Sequence, residues 1–545
     1  MRWPDNLSPK SEMDVHLAID SAVLLLYFVL IISIGLYMGR KEEDLKDFAL
    51  GGRRIPWWAV LASLIAAETS AGTFFGTPGE GFTHRNYTYL QLAIGTIIAR
   101  ILVSYIFIKP YYDYKVYSIY EYLTARFGVA TKNAASAVFM ITRLLASGAR
   151  LYFAAIALAL AYEMISGAKP DQMQTLWIYI GSTIAIVILT AIYTTLGGIK
   201  AVIWTDLIQA SIMIGSAFIA LGLLYSAIPG GWNEIVARHG SFHFSDFITT
   251  GFDPAKHGWQ KILGMFGIEY TIFAGLFGST FITMGTHGTD QDMVQRMLTA
   301  PDIRRSRRSV ILSGLADIPI AFTFISIGIL LWVYYQAHPD PTLPKTPNET
   351  FCHFILYQMP VGLRGLLIAG IFATAMGSLS TAINALATSF TRDWYEPYIN
   401  PNATSKQSLR AVRRATVGFS FLMIAVASAT SYCVIVRPSL RIIPIALGIF
   451  GYTYGSLLGV FLCGIFTKRR GNNFGNIVAM IIGFVVVAIL SGLPNGIAGI
   501  FGGKLYTQPA WLPLMEFPWW ICFGTIVTFS VAILFRTSRE HRPPL

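Results

Sequence analysis

Charge is what this chain has least of. Only 13% of its 545 residues are Asp, Glu, Lys or Arg, against 54% hydrophobic, and a mean hydropathy of +0.55 excludes a soluble globule of this size. Cysteine is scarce too. Cys352, Cys433, Cys463 and Cys522 are scattered without metal-ligand spacing, so no zinc-type site is indicated and nothing follows about redox compartment. Long polar segments are missing. The largest loops, near 226–262 and 338–360, are too short to fold as domains, so any chemistry must lie among apolar segments. No small-residue cleavage site follows the first apolar run, which reads as a retained span rather than a signal peptide.

What is present is a series of about 13 apolar runs, each near or above the roughly 20 residues that cross a bilayer. The expected fold class is an all-α polytopic membrane protein, its spans numbered 0 to 12. The net charge of +12 does not point to a nucleic-acid partner, because the basic residues are divided among loops. One alternating set, with "GRKEEDLKDFALGGRR", "RRSRR", "LRAVRR", "TKRR" and the tail "RTSREHR", holds most of the 41 lysines and arginines. That set is expected on the cytoplasmic side of a cell membrane, with the N-terminus outside and the C-terminus inside.

Two spans are interrupted. Span 1 contains "ETSAGT" and later "GTPGEG", and span 6, five spans on, contains "GSTFITMGTHGT". Unwound backbone at membrane depth is tolerated where it lines a cavity, so paired interruptions suggest an inverted repeat around a binding site. The plainer alternative is that Gly and Ser allow close helix packing. Within these stretches Ser70 and Thr73 are three apart and can face one cavity. Span 3 carries Arg143 and Arg150, seven apart on one face and about 10 Å from each other along the axis. Buried arginines are usually functional, although they can also snorkel or pair with a carboxylate such as Glu68.

Five ordered segments, "DFALGGRRIPWWAVLASLIAAETSAGTF", "SIYEYLTARFG", "YTTLGGIKAVIWTDLIQA", "TDQDMVQRMLTA" and "LSTAINALATSFTRDWY", with "GVFLCGIFTKRRG" after them, resemble the sodium/solute symporters over nearly the whole chain. The resemblance implies a leucine-transporter-like core: residues 1–56 as leader, span 0 and first loop, 57–226 as a first repeat of spans 1–5, 227–263 as an extracellular loop, 264–466 as a second repeat of spans 6–10, and 467–545 as spans 11–12 with a cytoplasmic tail. It implies alternating access, sodium as coupling ion, no other cofactor, a small organic solute, and a monomer in the bilayer.

The same resemblance implies ligands. The family's common sodium site matches the carbonyls of Ala66, Thr69 and Thr374 and the adjacent pair Gly377-Ser378, where one hydroxyl is missing. A second site of some members matches Asp206, Ser380 and Thr381. Asp206 could equally be a helix cap or a partner of Lys200, and the span 8 hydroxyls could bond to their own backbone. Ser70 and Thr73 match carboxylate-holding positions of the sialate-transporting branch. The carboxylate-binding arginine of that branch falls at Ala146, between Arg143 and Arg150. Gln91, Thr283, Thr286 and His287 join the candidate solute residues, with His287 open to the reading of a packed, satisfied side chain. Sugar-branch polar positions read Glu68, Gly72 and Thr73, which weakens sugar recognition.

Glu68, the single charge of "LIAAETSAGTFFGTPG", lies near the bilayer midplane and needs a cationic partner there. Three are open: a sodium ion, a span 3 arginine or a substrate amine. The proline-transporting branch has an acidic residue at this point that matters for sodium, which favours the ion. An enzyme is disfavoured because no nucleophile-base pair or metal-ligand spacing is present. A channel lacks its polar stripe, and a non-transporting sensor lacks a signalling tail. Proton coupling stays open as the alternative driving force, and a sugar as the alternative solute.

Overall fold

Helices dominate the computed structural model, which describes residues 9–538 apart from 41, 43, 167–168, 242, 244–245, 253–254, 256, 437–441, 501–502 and 508–514. The part of the expected cytoplasmic tail after 538 therefore lies outside the described residues. The elements that build the site are α1 (Pro9–Met38), α2 (Trp57–Glu68), α3 (Ala71–His84), α4 (Gln91–Ile106), α5 (Val129–Ser166) and α6 (Gln172–Ala227). They are followed by α7 (Thr280–Gly288), α8 (Gln291–Met297), α9 (Ile303–Ala337), α10 (Leu363–Phe390), α11 (Ser405–Val436), α12 (Ile442–Phe466), α13 (Asn473–Leu490) and α14 (Phe517–Ala532).

Among the described residues nine helices are long and apolar enough to cross a bilayer, or up to ten if the bent pair α2–α3 counts as one crossing. The sequence suggests about 13 such spans. Two physical features account for the difference. α6 covers 56 residues but consists of two helices joined at a kink at Gly198, each long enough for one crossing, while α7 and α14 have 9 and 16 residues and are too short to cross unaided. Inside α6, Gly198 takes φ 51° and ψ −150°, a backbone conformation closed to side chains. A Cβ there would sit 2.6 Å from the Phe48 carbonyl oxygen. Gly198→Ala is therefore expected to destabilise the protein by about 2 kcal/mol or more, measurable as a lowered unfolding midpoint in detergent.

α10 is the central helix: 83% of its apolar window is buried, against 17% for α1 at the periphery. It packs on α6, α5, α11, α1 and α2, so the hydroxyls along it face other helices rather than lipid. At Gly365 it admits the backbone of Asp20 on α1, where a Cβ would lie 2.8 Å from the Asp20 carbonyl oxygen, as expected where lipid gives no hydrophobic drive between helices.

The interruptions settle differently from the expectation. The first lies at Thr69 (φ −79°, ψ 85°) and Ser70 (φ −83°, ψ 168°), between α2 and α3, which meet at 62°. "GTPGEG", however, is helical within α3. Gly79 and Gly81 serve contact: a Cβ at Gly81 would lie 2.3 Å from the Ile325 carbonyl oxygen on α9. "GSTFITMGTHGT" is helical as well, from a π-helical turn at Ala274–Ser279 into α7. The chain breaks only at its far edge, where Thr289 (φ −128°, ψ 6°) and Asp290 (φ −103°, ψ 122°) separate α7 from α8. Thr280 and Thr286 bond back to the carbonyls of Leu276 and Ile282, while Gly278 makes room for Pro518. Small residues there pack helices and do not unwind them.

Candidate functional site

Where α2 ends, its last carbonyls lose their helical partners. One of them, Ala66 O, faces Gly377 of α10 from across the helix pair. A point one bond from the Gly377 backbone would lie 3.0 Å from Gln209 Oε1, 3.6 Å from Asp206 Oδ1 and 3.8 Å from Ala66 O. Both side-chain oxygens are buried and without a hydrogen-bond partner. A glycine at 377 thus leaves space that three oxygens surround, which is the chemistry of a hard monovalent cation site. The α10 hydroxyls bond to their own helix: Thr374 to Ile371 O at 2.7 Å, Ser378 to Ala375 O at 3.2 Å, Ser380 to Gly377 O at 3.0 Å and Thr381 to Ser378 O at 2.8 Å. Each thereby donates its hydrogen to backbone and keeps its oxygen lone pairs for another partner.

Asp206 is neither a helix cap nor a partner of Lys200. Its Oδ2 accepts from Ser63 of α2 at 2.5 Å and lies 3.7 Å from Arg296 Nε on α8, while Lys200 pairs with Glu42 and Asp47. Arg296 also bonds Ser63 at 2.9 Å and Asp292 at 2.6 Å. Arg143 of α5 pairs with Asp290, and with Asp292 at 3.2 Å; Tyr454 of α12 donates to Asp290 at 2.5 Å. A single buried ionic chain therefore links α6, α2, α8, α5 and α12. Its acids sit at the break between α7 and α8, and the pairing offsets the cost of burying them.

Glu68 has a cationic side chain beside it that the sequence reading did not name. Arg100 of α4 donates to both of its carboxylate oxygens. The same guanidinium reaches Asp317 of α9 at 2.7 Å and Ser313 at 2.7 Å. His287 Nε2 is 2.8 Å from Glu68, and its Nδ1 is 3.0 Å from Thr286. The span 3 arginines are thus replaced by Arg100 as its partner, and His287 is a packed, bonded side chain. Thr283 bonds Thr96 at 3.4 Å. Gln91 donates to Thr88 O and Tyr270 O and accepts from the Thr249 amide, so its amide is fully engaged in holding the loop before α7.

A cavity of 640 Å³ opens beside the first break. Ser70, Thr73, Arg150 and Thr286 all line it, with Phe450 and Trp520 among its aromatic walls. Gln91, Arg143, Thr283, His287 and Glu68 do not. Arg150 lies over the Phe450 ring at 4.7 Å and, unlike Arg143, has no carboxylate partner among the described residues. A small void is bounded by Ala67, Arg143, Ser147, Arg150, Ala375 and Ser378, and Arg150 lines both it and the larger cavity. Sequence reasoning missed Gln209, Arg100, Asp317 and Arg296. For Arg100 and Asp317 the signal was available, because each is an isolated charge inside an apolar run, as Glu68 is.

The protein-family model described as the sodium:solute symporter family matches residues 48–483. Among curated proteins the chain is 28% identical to a sodium/sialic acid symporter, SiaT, of Proteus mirabilis (strain HI4320), over 89% of this chain and 92% of that one. It is 27% identical to a sodium/glucose cotransporter of Vibrio parahaemolyticus, over 96% and 92%. Among solved structures, a substrate-bound, outward-open Na+-coupled sialic acid symporter aligns with a TM-score of 0.75 at 25% identity, covering 95% of this chain and 97% of the other. Mhp1, a nucleobase-cation-symport-1 transporter, aligns at 0.51 and 12% identity, over 89% and 93%, and shows the fold alone. With the match running through most of its length, this chain belongs to the sodium:solute symporter family, whose members are membrane transporters rather than enzymes.

Proposed function

We propose that this sodium-coupled symporter moves a small carboxylate-bearing solute, bound between Arg150, Ser70 and Thr73. The observation that carries the reading is that Arg150, with no carboxylate partner among the described residues, lines a 640 Å³ cavity that also holds both hydroxyls, with Glu80, Glu269 and Glu516 in the same lining. A planar guanidinium fits a carboxylate with two parallel bonds. The sialic acid named for one relative is a carboxylate of this class, and the aromatic walls suit an apolar or ring face of the solute.

Sodium is proposed at Gly377, held by the carbonyls of Ala66, Thr69 and Thr374, the Ser378 hydroxyl and, in place of the missing hydroxyl, Asp206 Oδ1 and Gln209 Oε1. Asp206, Ser380 and Thr381 would hold a second ion if one binds. Because Ala66 and Ser70 flank one break, an ion that fixes the end of α2 also fixes the start of α3, where the solute hydroxyls sit. Binding of either is thereby favoured by the other, and the coupling is reciprocal. We propose thirteen crossings, with α2–α3 and α7–α8 as broken spans of two inverted repeats, basic loops in the cytoplasm of a cell, and a monomeric transporter.

The test is uptake into proteoliposomes under an inward sodium gradient, with a panel of carboxylates set against uncharged sugars. Carboxylates are expected to accumulate, and Arg150→Lys to raise the half-saturating solute concentration about tenfold by removing bidentate geometry while keeping charge. Accumulation of a neutral sugar, with acids ignored and Arg150→Lys silent, would overturn the carboxylate reading. Equal uptake driven by a proton gradient in sodium-free buffer would overturn sodium.

A further inference from the structure

We propose that the groove between α11 and the end of α10 is a binding site for one anionic phospholipid of the leaflet facing the basic loops. The groove encloses 620 Å³ and is formed by Phe390, Tyr395, Arg410, Arg414, Phe419 and Leu422, with small residues of α11 on its floor. None of the ion or solute residues lines it.

The groove has two ends of opposite chemistry. Arg410 and Arg414 are one turn apart on the exposed side of α11 and project from one face. Neither forms an ion pair or hydrogen bond with any described residue, whereas other arginines of this side do: Arg392 holds Glu121 and Glu396, and Arg126 bonds the carbonyl of Gly464. From Arg414 the floor runs through Ala415 and Gly418 to Leu422, about 12 Å deeper along the helix axis, and every group on that stretch is apolar. Phe419 stacks edgewise on Phe390 at 6.1 Å and forms a wall. A cationic rim one turn wide above an apolar trough that runs along a membrane helix complements a phosphodiester head with its acyl chain. A soluble anion would use the rim and leave the trough, and an uncharged lipid would use the trough and leave the rim.

Gly418 supplies a clean test. A Cβ there meets nothing within 4 Å, so the side chain of Gly418→Leu enters the trough from a position with room for its first carbon. Arg410→Gln with Arg414→Gln removes the rim, and Lys468→Gln with Arg469→Gln, two exposed cations in the loop before α13, removes equal charge elsewhere. The purified full chain in detergent is titrated with phosphatidylglycerol or phosphatidylcholine, and bound lipids are counted by native mass spectrometry. The parent is expected to retain one phosphatidylglycerol in preference to phosphatidylcholine. Loss of the two rim arginines should weaken it about thirtyfold, near fivefold for each cation. Gly418→Leu should displace it with the rim intact, and the loop control should leave it bound. Three outcomes would overturn the site: equal retention of phosphatidylcholine by the parent, unchanged phosphatidylglycerol in both groove variants, or displacement of the lipid by inorganic phosphate at the same concentration.

Discussion

Arg100→Met is expected to lower stability by about 3–5 kcal/mol, the range for stripping one partner from a buried ion pair, and to be the most damaging single change near the solute cavity. Arg100 is fully buried and stands between Glu68 and Asp317. With methionine in its place two partly buried carboxylates are left beside a single His287, and their mutual repulsion is no longer offset. Glu68→Gln alone should cost far less, because it leaves Arg100 balanced by Asp317. The order of effects is the sharp part of the expectation. Adding Glu68→Gln and Asp317→Asn to Arg100→Met should recover most of the loss, since neutral partners need no cation. Unfolding midpoints of the four proteins in one detergent decide the matter: equal midpoints for Arg100→Met and the parent would show that the pair carries no stability.

This pairing also shows where sequence reasoning stops. That Glu68 needs a cation follows from its depth, and that requirement is legible in one segment. Which cation it finds is not, because Glu68 and Arg100 lie 32 positions apart on different helices, and Asp317, which shares the guanidinium, is a further 217 positions from Arg100. The first break was legible for a local reason, since "ETS" brings hydroxyls into an otherwise apolar run. The second was misplaced for an equally local reason. Glycine and threonine are ambiguous signals: at Gly278 and Gly81 they admit a neighbour's backbone, whereas at Thr289 the chain turns. Helix–helix contacts decide between these uses, and one segment does not contain them. Gln209 is a third case. It lies three residues after Asp206, on the same helix face, yet its place in the site becomes visible only opposite Gly377, where the absent hydroxyl leaves room for its oxygen.

Asp206→Asn is expected to raise the sodium concentration for half-maximal uptake about thirtyfold or more, with solute affinity at saturating sodium little changed. Of the three atoms nearest that point, the carboxylate oxygen Oδ1 is the formally negative one, beside neutral Gln209 Oε1 and Ala66 O. Removing a buried charge that pairs with a cation typically costs about 2–5 kcal/mol, and Asn keeps the shape and an oxygen for the Ser63 hydrogen bond. Gln209→Met, which deletes one neutral ligand, should cost about tenfold by comparison. Lys200→Gln should leave sodium activation as it is, because Lys200 serves Glu42 and Asp47 and is not a partner of Asp206. The steepness of the sodium curve adds a second reading. If Asp206→Asn lowers a Hill coefficient above one to unity, a second ion with Ser380 and Thr381 is being lost, because each coupled ion adds its own concentration dependence. Unchanged sodium affinity in Asp206→Asn would remove Asp206 from the ion site altogether. Its carboxylate would then serve only to hold Ser63 and Arg296, and the oxygens around Gly377 would have to be satisfied by something other than the coupling ion.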